Sequence, residues 1–256
     1  MSSVEIHQTV DFAKRLKNPL VILGFPGTGL VGSVAGAQLA ESLAMPFGGY
    51  ITSPEFAPLA AIHNYKPMPA ARIHYSEKNN LVLVLSEMTI PVSSSLLVAD
   101  KIFEFARSIG AREILSLGGI SLKENKNEVY FISSDPNGTR DAINRKIAKP
   151  IREGATTGVT GILLTKGAIS RFKVTAILAE ASEEYLDPGA AVNALKTFSL
   201  FTNIPVNTSA LERDATILSE TVKEAVVKSK MARRRGTGPA TEEGGTSGNN
   251  PGSMYG

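Results

Sequence analysis

Gly27-Thr28-Gly29-Leu30-Val31-Gly32 is the segment whose residue types and spacing come closest to known ligand chemistry. This G-x-G-x-x-G follows the apolar run "PLVILGF" (19–25) and precedes a helical pattern. In a dinucleotide-binding unit such glycines allow a tight turn and bring pyrophosphate against a helix N-terminus. The unit also needs an acidic residue about 20 positions on, closing a second strand, to hold the ribose. Glu55 stands near that distance, behind Pro54, but no clear apolar strand precedes it. No Gly-Lys-Ser/Thr follows the loop, so ATPase-type phosphate binding fails. The same glycines also let a helix lie close on a sheet. Packing is therefore the first reading of 24–32, and a nucleotide- or nucleoside-acting enzyme using this loop is the alternative.

Other constellations are thinner. The absence of cysteine removes thiolate nucleophiles, zinc-thiolate sites and disulfides, and fits a reducing compartment. His7, His63 and His74 are few and scattered for a metal site. Ser86-Glu87 and Ser93–Ser95 suggest a hydrolase only loosely, because no G-x-S-x-G elbow occurs. Glu180, Glu183, Glu184 and Asp187 could serve acid–base work, but a loop that starts a helix explains them equally well. No catalytic residue, metal ligand or cofactor is assigned, and the expectation is a protein that is not an enzyme.

The net charge of +3 invites a nucleic-acid reading, which its placement weakens. Residues 228–256 hold five cations (Lys228, Lys230, Arg233, Arg234, Arg235) and two anions (Glu242, Glu243). That leaves 22 of the 27 basic residues against 22 of the 24 acidic ones in the body. The excess sits where a helix should end and complements its dipole, at roughly 0.3–1 kcal/mol per charge. Nucleic acid is not an expected partner. The start lacks a basic segment followed by an apolar one, and no apolar run reaches membrane-spanning length. A soluble, cytoplasmic protein without a membrane partner is expected.

The elements around these residues read as α/β. "PLVILGF" and "LVLVLSEM" (81–88) are continuous apolar runs suited to strands buried on both faces. Strands are also expected at 112–120, 128–134 and 174–182, in a largely parallel or mixed sheet. Between 81 and 118 a βαβ unit is expected, its helix capped by Ser93, Ser94 or Ser95. Leu96, Ile102, Phe105, Ala106 and Ile109 form its stripe, and Gly110 ends it. Val34, Leu39 and Leu43 predict a helix after the glycine loop, and Pro188 opens another at about 188–201. A long C-terminal helix follows at about 209–235. Leu211, Ala215, Leu218, Val222 and Ala225 recur on it at steps of 4, 3, 4 and 3. That seam packs on the domain or meets another subunit. Residues 1–235 form the expected domain, and 236–256, rich in Gly, Ser, Thr and Asn, a flexible tail.

Four motifs now occur in order: "GFPGTGLVG" (24–32), "LGGI" (117–120), "GVTGILL" (158–164) and "YLDPGAAV" (185–192). Together, across 18–226, they resemble the proteasome assembly chaperone 2 family, most closely its archaeal proteasome-assembling chaperone homologues. The resemblance implies a three-layer α/β/α domain that self-associates and binds the proteasome core particle without catalysis. It makes 24–32 scaffold. It also gives sense to Met254-Tyr255-Gly256, which resembles the hydrophobic–tyrosine–any-residue ending of proteasome activators, with Met in place of a branched aliphatic. Such tails enter pockets between α-ring subunits. Met254 would supply an adaptable apolar contact, Tyr255 a large ring with a polar tip, and Gly256 its carboxylate. As a flexible coil, 236–253 would span roughly 23 Å. One tail would bind weakly, so a homo-oligomer presenting several is expected. The implied role is an assembly chaperone, an ATP-independent activator, or both.

Overall fold

The computed structural model describes residues 3–63, 65–122 and 127–217. Met1–Ala215 forms one compact unit, and Thr216–Gly256 a second, in which only 216 and 217 are described. The expected boundary near 235 lies outside the described residues, as do Leu218, Val222, Ala225, Met254, Tyr255 and Gly256.

In chain order the elements are β1 (Glu5–Gln8), α1 (Phe12–Arg15), β2 (Leu20–Gly24), a 3-10 turn (Thr28–Leu30), α2 (Val31–Ser42) and β3 (Phe47–Thr52). A hairpin of β4 (Ala60–His63) and β5 (Lys66–Pro69) then leads to β6 (Ala71–Ser76) and β7 (Leu81–Ser86). There follow α3 (Val92–Ser108), β8 (Glu113–Ile120), β9 (Val129–Ser133), α4 (Pro136–Asn144) and β10 (Lys149–Pro150). The unit closes with α5 (Gly158–Ser170), β11 (Val174–Glu180), α6 (Pro188–Thr202) and a helical stretch at 209–215.

Nine strands make one sheet in the order β1-β3-β6-β7-β2-β8-β11-β9-β10. The central four, β7, β2, β8 and β11, are parallel, and antiparallel pairings at β7–β6 and β11–β9 make the whole sheet mixed. β2 shows why such strands read as unbroken apolar runs. Val21 and Leu23 join one core with Val98, Ile102 and Phe105 of α3 and Leu163 of α5. Leu20 and Ile22 join another with Val31, Ala35 and Leu39 of α2 and Leu195 and Phe198 of α6. Helices cover both faces, so alternation disappears from the sequence. The α/β/α layering is the expected one.

Several local expectations need correction. A strand does precede Glu55: β3, "FGGYIT", whose two glycines hide it. β6 is buried throughout yet reads "ARIHYS", because Arg72 and His74 partner each other inside the protein. α5 carries no clear helix signal in the sequence, since three glycines in thirteen residues lower its propensity. The cap of α3 is Pro91, not one of the serines, and no side chain caps it. Ser93 and Ser94 lie inside the first turn and donate to Glu55 Oε2, at 2.5 and 2.7 Å. Leu96, placed on the buried stripe, is exposed, whereas Gly110 adopts φ +66° at the expected stop.

Candidate functional site

β2, β7, β8 and β11 all point their carboxyl ends to the same side of the sheet, and three of the four sequence motifs meet there. "GFPGTGLVG" leaves β2, "LGGI" closes β8 and "YLDPGAAV" links β11 to α6. Their glycines sit against backbone. A Cβ on Gly24 would lie 2.7 Å from the Gly32 carbonyl oxygen and 3.0 Å from Gly36 Cα. One on Gly32 would clash with the Phe25 carbonyl and reach within 2.6 Å of that of Leu117. One on Gly119 would strike the Thr28 carbonyl. Gly29 has φ +61°, and a Cβ there would come within 2.8 Å of Ala181 Cβ and 3.1 Å of Asp187 Cβ.

The room a pyrophosphate would need against Gly29 and Gly32 is thus filled by the protein itself. Asp187 adds a second obstacle. Its amide donates to the Gly29 carbonyl at 3.0 Å; its carboxylate caps α6 by accepting from Ala190 N at 2.9 Å and also accepts from Ser182 N of the preceding loop at 3.2 Å. That places an anion beside the turn, where a phosphate would be repelled. Glu55 does not supply the ribose contact either. β7 and β8 flank β2, so β3 lies two strands beyond β7 rather than next to β2. The geometry supports the packing reading of 24–32.

Polar residues at this end pair with one another. Ser86 is fully buried and donates to the Met88 carbonyl at 2.7 Å, so it has no base of its own. Arg72, buried in β6, donates through Nε to His74 Nε2 at 3.1 Å and pairs with Glu87 at 2.5 Å. His63 Nε2 lies 2.7 Å from the same carboxylate oxygen and 3.1 Å from Arg72. Two histidines that looked scattered therefore converge, but on a guanidinium, which excludes a cation between them. Burial holds His74 below its ordinary pKa; the Met45 carbonyl opposes this, and the Arg72 charge adds to it. Among the described residues no group of three His, Asp or Glu could hold a metal. Only the Arg72/His74 spacing of two on a strand hinted at this cluster, and it required knowing that 71–76 is a strand.

Of the seam, Leu211 is buried in the core under α2 and α6, and Ala215 lies 3.9 Å from a Cβ built on Gly189. Glu212, between them in sequence, pairs with Lys196 of α6 at 2.9 Å. Of the described seam residues, Leu211 packs in the core of its own domain. No helix among the described residues is long and apolar enough to cross a membrane.

Comparison with known proteins places this geometry. The PAC2 family model matches residues 21–226. An uncharacterized protein of Methanocaldococcus jannaschii is 30% identical over 222 residues, covering 86% of this chain and 91% of that protein. Among solved structures, Pyrococcus furiosus PbaA, an archaeal homolog of proteasome-assembly chaperone, superposes with TM-score 0.77 at 24% identity. It covers 90% of this chain and 95% of that one. P. furiosus PbaB, an archaeal proteasome activator, gives TM-score 0.73 at 23% identity, over 88% and 98%. The fold is shared, and the match over 206 of 256 residues identifies the chain itself: it belongs to the PAC2 family.

Proposed function

We propose that this protein is an adaptor of the proteasome core particle, acting as an assembly chaperone, an ATP-independent activator, or both. Its family and the fold it shares with PbaA and PbaB support the coarse reading. The single observation that carries the finer one is the ending Met254-Tyr255-Gly256 on a PAC2-family chain. In this reading Tyr255 fills a pocket between α-ring subunits, Met254 lines its apolar wall, and the Gly256 carboxylate meets a cation. The filled glycine turn and self-paired polar groups at the sheet's carboxyl end favour binding over catalysis.

Magnitudes explain why the adaptor should be a homo-oligomer. Burying one tyrosine yields about 4–6 kcal/mol gross, at ~25 cal/mol per Å². Lost translational freedom and the ordering of the tail consume much of that. Several tails on one assembly recover about 10²–10⁴ in affinity through effective concentration. The setting is cytoplasmic. Co-sedimentation with purified core particle should retain the full chain and lose a chain ending at Arg235. Equal retention of both would contradict tail docking.

A further inference from the structure

The carboxyl end of the sheet is apolar far beyond what its packing requires. Among the described residues fourteen large apolar side chains are exposed, and nine of them lie at this one end. Leu30 follows β2, Val92 and Leu96 follow β7, Leu122 follows β8, and Tyr185 with Leu186 follows β11. The β4–β5 hairpin, which leaves β3 and returns to β6 at the same end, adds the other three. Of these, Leu59 precedes it, Ile62 is 72% exposed, and Tyr65 at its tip is wholly exposed. Val92 is 92% exposed in the first turn of α3. No internal packing accounts for side chains this open.

Their spacing and area are those of an interface. Strands lie about 4.8 Å apart, so β3 to β11 spans only ~24 Å. Summed over the nine residues, the exposed area is on the order of 1,000 Å², comparable with the ~800 Å² per partner in a stable complex. Charge is arranged across the same face. Lys66 is exposed on the hairpin, whose other strand is tied by His63 to Arg72 of β6 and to Glu87 just after β7. Glu183 and Glu184 are exposed in the loop after β11, roughly 14 Å away across three strand spacings. None of the three forms an ion pair among the described residues. A two-fold axis through the apolar centre brings Lys66 of each copy to Glu183 and Glu184 of the other, as a self-complementary surface requires.

We infer that this end of the sheet is the surface through which two copies of the chain pair face to face. The inference deepens the proposed adaptor, whose avidity rests on self-association, by assigning the contact. The occupant is a second copy because both the area and the charge pattern are satisfied by the same face.

The test uses the full chain and its mass in solution by sedimentation velocity, with circular dichroism to verify folding. Ile62→Asp with Val92→Asp places charge at the centre and should weaken self-association on the order of 30-fold or more. Lys66→Glu alone should dissociate, as should Glu183→Lys with Glu184→Lys. Mixing these two variants should restore association, since opposite charges then meet at both flanks. A monomeric parent, charge variants that keep the parent mass, or a mixture that stays dissociated would overturn the pairing. So would an Asp variant that keeps its mass and loses core-particle binding, which would give this face to the proteasome. Tail docking is scored separately: Tyr255→Ala should leave the mass unchanged, so either idea can fail without the other.

Discussion

His74 shows how a polar side chain is tolerated inside a strand. Its Nδ1 faces the Met45 carbonyl at 3.0 Å and its Nε2 accepts from Arg72 Nε, which only the neutral Nδ1–H tautomer satisfies. Burial, opposed by the Met45 carbonyl and reinforced by Arg72 and then His63, keeps its pKa below the ordinary 6.5; Glu87 pulls the other way. As pH falls below that value the unfolded chain takes up a proton that the folded one refuses. The contribution of His74 to stability is therefore complete above about pH 6.5 and is lost as pH falls toward the folded value. Denaturant unfolding between pH 5 and 7.5 should show a flatter pH slope for His74→Gln than for the parent. Identical slopes would mean that His74 stays exposed to protons. Little of this was legible in the sequence, because the partners come from β4, β6 and the end of β7. A hairpin separates them along the chain, and strand spacing alone does not say which side chains cross it.

Elements with unbroken apolar runs or a clear helix start were the readable ones. β2, β7, β8 and β11 announce themselves as apolar runs, and α6 by Asp187-Pro188, an N-cap followed by proline at the first position. β3, β6 and α5 did not, because what fixes them is close backbone approach or an internal polar pair rather than apolar patterning. α2 is the informative case. Its Gly32 lies against two carbonyl oxygens, from the end of β2 and from β8, so helix and sheet touch backbone to backbone. Gly32→Ala should cost about 2 kcal/mol or more by overpacking, exceeding the ~1 kcal/mol that alanine gains over glycine inside a helix. Gly27→Ala, which meets nothing within 4 Å, should be near neutral. Thermal unfolding separates the two; equal midpoints would show that the loop is open enough to take a ligand after all.

Family membership and fold describe the body of the protein, and the proposed adaptor role rests on its surfaces and its C-terminal residues. The four ordered motifs were enough to suggest the family from sequence, because three of them hold one tight junction at the carboxyl end of the sheet. The apolar face above that junction was not legible. Its residues are scattered from Leu30 to Leu186, and only the strand order of the mixed sheet gathers them. The proposed docking residues, in contrast, are a sequence observation throughout. The most direct measurement is the affinity of the full-length chain for purified proteasome core particle, compared with Tyr255→Ala, at fixed salt and with assembly mass checked in parallel. Loss of one buried aromatic anchor costs ~2 kcal/mol or more per tail and compounds across the assembly. Binding by the parent and none detectable by Tyr255→Ala, at equal mass and equal folding, is the predicted result. Equal affinity of the two chains would contradict tail docking and leave the core particle without its proposed handle.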